Sequence, residues 1–136
     1  MTVVATPYGR DTYCTNRLRP GRVVEGVELV GQALYRRLTT RRGTLLDDPN
    51  YGIHLLELLG SSVSEDMRAS YPGRIRNECL KEPRVDSVTV TITETVEGAG
   101  LTWTVDLDVL TTEGDTFDLV LSVSDVTVDL LQLEPT

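Results

Sequence analysis

Apolar residues in this chain change their spacing once, at Leu80-Lys81-Glu82-Pro83-Arg84-Val85. Before that stretch they recur at helical intervals, and after it they alternate with polar residues. Pro83 is the punctuation, because proline cannot continue a helix and pushes the residue before it into extended geometry.

Residues 1–24 have no sustained period and carry Pro7, Gly9, Pro20 and Gly21, which predicts an extended arm. Its Tyr8, Tyr13, Arg17 and Arg19 are of types enriched at interfaces, so the arm is expected to dock on a neighbour. From Glu25 a helix is predicted, with Val27, Val30, Leu34 and Leu38 on one stripe and Leu29 and Ala33 beside it. Gly26 and Gly31 weaken it by roughly 1 kcal/mol each relative to alanine. Arg36, Arg37, Arg41 and Arg42 cluster near its C-terminal end, where the helix dipole favours positive charge, and Gly43 is the expected stop. Residues 44–52 form a turn-rich connector in which Asp48 or Asn50 can cap a short helix over 51–59. That helix is apolar around most of its circumference and must be buried. Ser62-x-x-Glu65 reads as a capping box for a third helix running toward Leu80, with Val63, Met67, Ile75, Cys79 and Leu80 as core candidates. Pro72-Gly73 either kinks this helix or divides it in two.

Beyond Pro83, Val88, Val90 and Ile92 alternate with threonines. Leu101, Trp103, Val105, Leu107 and Val109 alternate with Thr and Asp. Phe117, Leu119, Leu121 and Val123 form the next inward set, and Val126, Val128 and Leu130 a fourth. Glu97-Gly98-Ala99-Gly100 and Glu113-Gly114-Asp115 are the turns, and strands joined so closely must be antiparallel. The predicted fold is α+β: three or four N-terminal helices on one face of a three- to four-stranded antiparallel meander. Residues 1–24 are the arm and 25–136 a single domain.

Composition adjusts this picture modestly. With 136 residues, 40% apolar and 5% aromatic, the chain can bury one modest core. No apolar run approaches the ~20 residues of a bilayer span, and the N-terminus lacks the pattern of a signal peptide, so synthesis in a cytoplasm and no membrane partner are expected. Charge is more telling. Residues 1–46 hold eight arginines and three acids, whereas residues 85–136 hold eleven acids and no Lys or Arg. Such a two-ended molecule suits an assembly component whose ends meet partners of opposite sign. Nucleic acid is not an expected partner, because the domain as a whole is acidic, at −8.

Candidate chemistry is sparse. Glu57, Glu65, Glu78 and Glu82 could supply a carboxylate pair for glycoside hydrolysis, but no spacing marks a pair as such. His54 sits in an apolar stretch without a nucleophile motif, and Cys14 and Cys79 have no metal-ligand spacing. No glycine loop has the context of a phosphate site. The expectation is no catalytic residue, no metal and no cofactor.

Three short signals remain: Thr39-Thr40-Arg41-Arg42-Gly43, Pro49-Asn50-Tyr51-Gly52 and Glu82-Pro83-Arg84-Val85. In order and spacing, over about residues 25–125, they resemble the lysozyme-like baseplate wedge proteins of contractile-tailed phages, with relatives in type VI secretion baseplates and extracellular contractile injection systems. The resemblance implies a virion structural protein of the tail baseplate, not an enzyme, at about six copies per particle. It implies that the protein joins the wedge core bundle to the tail sheath, with tube or hub proteins as further partners, and templates sheath assembly. Glu82, Pro83 and Arg84 are then the expected contact to other wedge proteins, with Arg41, Arg42 and Tyr51 beside them. Glu82 and Arg84 could equally pair with each other. The alternatives are a lysozyme-type peptidoglycan hydrolase and a small adaptor that binds a partner strand at its sheet edge.

Overall fold

In the computed structural model, which describes residues 10–12, 23–60, 65–97, 100–124 and 128–135, Gly26 turns the chain at φ 69° from a short strand into the first helix. That strand, β2 (Val23–Glu25), pairs antiparallel with β1 (Arg10–Thr12). The described parts of the arm therefore form a two-stranded ribbon, and Tyr8, Tyr13, Arg17 and Arg19 lie outside the described residues. Because β2 takes Glu25, helix α1 starts two residues later than expected, at Val27, the first residue of its apolar stripe, and runs to Thr39. Val30, Leu34 and Leu38 are fully buried, as their shared stripe predicts.

Helix α1 stops before Gly43. Thr39 and Thr40 turn their hydroxyls back onto the carbonyls of Tyr35 (2.9 Å) and Arg36 (2.5 Å), satisfying acceptors that a helix end leaves open. The Arg37 carbonyl instead accepts the N–H of Ile53 at 2.8 Å. Gly52, at φ 99°, is outside helical geometry, so α2 is shorter than expected, Leu55–Gly60. Helix α3 runs unbroken from Glu65 to Cys79 with Pro72 inside it, which decides between the two expectations for Pro72-Gly73. Its described side chains begin at Arg68; among them Tyr71, Ile75, Glu78 and Cys79 are buried, with Ile75 four residues from both Tyr71 and Cys79 and three from Glu78. Ser62 and Val63 of the expected capping box lie outside the described residues, and Leu80 is half-buried against the core.

After Pro83 come β3 (Val85–Glu97), β4 (Gly100–Thr111), β5 (Thr116–Val123) and β6 (Val128–Pro135). They pair antiparallel in chain order, a four-stranded meander. Trp103, Val105, Leu107 and Val109 face Phe117, Leu119, Leu121 and Val123 across the β4–β5 ladder, and all eight are buried under the helices. Val88 is buried too, while Val90 and Ile92 are only half covered, since β3 is an edge strand. Gly114, at φ 89°, supplies the left-handed position of the β4–β5 turn, where Thr111 N–H donates to the Asp115 carbonyl at 2.8 Å.

The opposite sheet face carries polar residues to water. Asp108 stands directly across from Asp118, and one carboxylate oxygen from each of Asp106, Asp108 and Asp118 lies within 4.8 Å of the others. Burial, and then the charge of Asp108, push the Asp106 carboxyl above its usual range. Like charges directly opposed on a sheet are destabilising. Asp108→Asn is therefore expected to stabilise the domain by about 0.2–1 kcal/mol. Leu119→Ala, on the inner face, is expected to cost about 2–5 kcal/mol. Urea unfolding of the two variants checks both signs, and equal effects would mean that the two faces are misassigned.

Candidate functional site: a buried carboxylate that gathers three motifs

The C-terminal turn of α3 puts Glu78 on the core side, with its side chain fully inaccessible. A bare carboxylate there would be costly, so it must be paired and hydrogen-bonded. Its partners come from all sides. Lys81 Nζ lies 2.8 Å from Oε2 and Arg42 Nη2 3.2 Å from the same oxygen, while the Gly52 N–H donates to Oε1 at 2.5 Å. Burial by itself raises the Glu78 carboxyl, but the Lys81 ammonium, the Gly52 N–H and the Arg42 charge outweigh it and hold the group below its ordinary value.

The same partners fix the connection between α1 and α2. Arg42 Nε donates to the Gly52 carbonyl at 3.1 Å, and Lys81 Nζ to the Asn50 carbonyl at 2.8 Å. Gly52 has φ 99°, and a Cβ there would overlap the Thr40 carbonyl, so both conformation and space demand glycine. Arg37 spans the two acids of the joint: Nη1 is 3.6 Å from Glu78 and Nε 3.8 Å from Glu82, with the guanidinium 4.5 Å above the Tyr51 ring. Burial raises the Tyr51 phenol against the opposing charges of Arg37 and Arg36, so the ring stays neutral at physiological pH.

Glu82 and Arg84 meet each other. Arg84 Nε lies 2.6 Å from Glu82 Oε1 across the exposed Pro83. Glu82 is buried, and Arg84 is partly open to water. The backbone of the turn is fixed as well: Val85 N–H donates to the Glu82 carbonyl and Thr112 N–H to the Arg84 carbonyl, both at 3.0 Å. Arg41 and Arg42 are exposed; Arg41 pairs with Glu57, and Arg42 with Glu78. The three sequence signals thus converge on one cluster, with Glu82 facing inward and Pro83, Arg84, Arg41 and Arg42 toward solvent.

Sequence reasoning considered Glu78 only as one of several acids and did not place it at the hub. The signal was available: Glu78 is the lone acid among Tyr71, Ile75 and Cys79 on the buried stripe of α3. Chemically the site is a clamp. Glu78, Glu82 and Glu57 each face cations, and of the three the Glu78 carboxyl is held below its ordinary value. His54 sits 4.0 Å from Glu57 on a partly exposed surface. Burial, with the Glu78 charge, pushes the Cys79 thiol up to about 12, so it is an inert core residue. The nearest approach to a cation-ligand set among the described residues is the Asp106, Asp108 and Asp118 trio, three oxygen donors on an open face.

A family model, the contractile injection system sheath initiator, matches residues 11–114. That range includes all three motifs and the joint. The match supports the contractile-machine part of the resemblance and does not extend to the lysozyme-like wedge label. No curated protein matches the chain.

Glu78→Gln leaves three cations around a neutral amide and is expected to cost about 3–5 kcal/mol. The folded-state pKa of Glu78 lies below its ordinary 4.5, so its contribution is complete above that value and is lost as pH falls through the lower folded one. Urea midpoints measured from pH 7 to pH 3 should fall more steeply for the wild type than for Glu78→Gln. Parallel curves would show that the carboxylate charge contributes nothing.

Proposed function

The chain belongs to the contractile injection system sheath initiator family, and we propose that it works as a baseplate component on which the first ring of tail sheath is built, joined at its other end to the wedge core bundle. The observation that carries this reading is the edge of the sheet. Among the described residues β3 pairs with β4 alone, so a strand of thirteen residues has one side without a partner strand. Beside it runs a groove of about 280 Å³ lined by Pro72, Gly73 and Arg76 of α3 and by Val88, Thr89 and Val90 of β3. A partner strand added there gains main-chain bonds from the edge and a place for its side chains in the groove. The irregularity between Val85 and Ser87 limits the edge at its start, as protected edges do.

The wedge contact is assigned to the outer side of the clamp: Pro83, Arg84, Arg41 and Arg42, with Tyr51 as support beneath Arg37. Leu46, 96% exposed, and Leu45 offer apolar contact on the adjoining connection, whose base Glu78 holds. The arm residues Tyr8, Tyr13, Arg17 and Arg19 keep the role of a docking strap to a neighbour. A virion baseplate location, about six copies, and tube or hub contacts belong to the same reading. Peptidoglycan hydrolysis is not favoured, because the described glutamates of the clamp are taken up in ion pairs with Arg41, Arg42, Lys81 and Arg84.

Gly73 is exposed, and a Cβ added there has no atom within 4 Å. Gly73→Trp is expected to fold with wild-type stability or up to about 1 kcal/mol more, since glycine is a poor helix former. It should nonetheless fill the groove and sharply reduce the fraction of baseplates that nucleate sheath, counted by electron microscopy; undiminished nucleation would sink the β3-edge assignment. Arg84→Ala should remain folded by circular dichroism and lose co-purification with the wedge proteins. If it unfolds instead, Arg84 acts as an internal staple and the wedge contact lies elsewhere.

A further inference from the structure

Between the α1–α2 connection and α3 lies a cavity of about 270 Å³ lined by Arg42, Ile53, Arg74, Asn77, Glu78 and Lys81. Three of these residues are cations and one is an anion. The anion is already engaged, its two oxygens receiving Lys81, Arg42 and the Gly52 N–H. Arg74 has no ion pair among the described residues; its guanidinium lies 5.9 Å from the centre of the Tyr71 ring and its side chain is exposed. Arg42 has Nε and Nη2 in use, which leaves Nη1. Lys81 makes two contacts with three protons. Asn77 adds an exposed amide at the rim, and Ile53 gives a nearly buried apolar wall.

We propose that this cavity binds one carboxylate side chain, Glu or Asp, presented by a protein partner. The proposal rests on reading the chain as an assembly component, and it adds a contact on α3 to those at Pro83 and Arg84. An incoming carboxylate takes the fork of Arg74 and the spare donors of Arg42 and Lys81, and a glutamate's methylenes lie against Ile53. Size and field favour this ligand over nucleic acid. The cavity holds a side chain and not a strand, and the chain carries a net −8 with eleven acids in residues 85–136, which repels a polyanion. Since Glu78 fixes Arg42 and Lys81 before any ligand arrives, the site is preorganised.

The test is an NMR titration of the full chain with an acetylated, amidated Ala-Ala-Glu-Ala-Ala peptide, which presents a single carboxylate, at constant ionic strength, with inorganic phosphate and a short single-stranded oligonucleotide as parallel probes. Saturable shifts confined to the Arg74 and Arg42 side-chain N–H groups and the Asn77 amide are expected. Arg74→Glu should weaken peptide binding by about tenfold or more while leaving the melting temperature unchanged. Asn77→Ala provides a second, milder variant should charge reversal disturb the fold. Equal shifts at Arg36 and Arg68, or tighter binding of phosphate or oligonucleotide at these residues, would overturn the assignment. No sheath or wedge protein enters this titration, so the carboxylate site and the sheath reading can fail separately.

Discussion

A carboxylate deprived of water must be answered by the groups around it, and much of this domain's helical half is arranged to answer Glu78. Its partners come from the end of α3, from the residues after α1 and from the backbone at Gly52. Those contacts hold the α1–α2 connection against α3 without a large apolar interface. A stretch of ten exposed residues, 41–50, thereby gains a fixed base, although its own side chains bury little. The desolvation of Glu78 is costly, and an apolar replacement could fill the same volume. What the charge supplies is direction: Arg42, Lys81 and the Gly52 N–H all point at its two oxygens.

From there the constraint passes to the sheet. Glu82 lies one turn beyond Glu78 and shares Arg37 with it, and Arg84 closes on Glu82. Pro83 prevents further helix, and the Arg84 carbonyl is held by Thr112 at the far end of β4. The start of β3 is thus tied both to the helices and to the β4–β5 turn. The sheet edge and the outer side of the clamp are therefore joined through hydrogen bonds and ion pairs. That property suits a part on which other subunits are stacked.

The sheet was the most legible part of the chain. Period-two alternation across Trp103–Val109 and Phe117–Val123, with glycine turns between, leaves one antiparallel solution, since slipping by a residue would expose the whole inner set. The stripe of α1 was equally plain. The errors fell where long-range bonds overrule local preference. Residues 51–54 look helical, but Gly52 is held at φ 99° between the Thr40 carbonyl and Glu78, twenty-six residues on. Residues 10–12 and 23–25 look irregular because three residues are too few to display a period, and only their mutual pairing makes them strands. In the site, the motifs were visible but their convergence was not. Glu82 and Arg84 flank a proline in sequence whether they face outward or each other, and only the fold, by burying Glu82, decides. Glu78 escaped because an acid in a helix is usually solvated, and its place on the Tyr71–Ile75–Cys79 stripe matters only once that stripe is known to be buried.

The distribution of charge can be understood in the same terms. Had the basic residues been spread evenly, a lysine in place of Thr89 on β3 could have faced Asp108 across the ladder, at no cost to the inner face. Instead, no Lys or Arg follows Arg84, and the cations are concentrated around the joint in excess of the acids they hold. A monomer optimised only for its own stability would not leave like charges together at one end and unspent donors at the other. The arrangement is intelligible if both ends are completed by other subunits, since complementary fields fix which partner docks where and in what order. Membership of the contractile injection system sheath initiator family places the chain in a multi-subunit machine, where such completion is at hand.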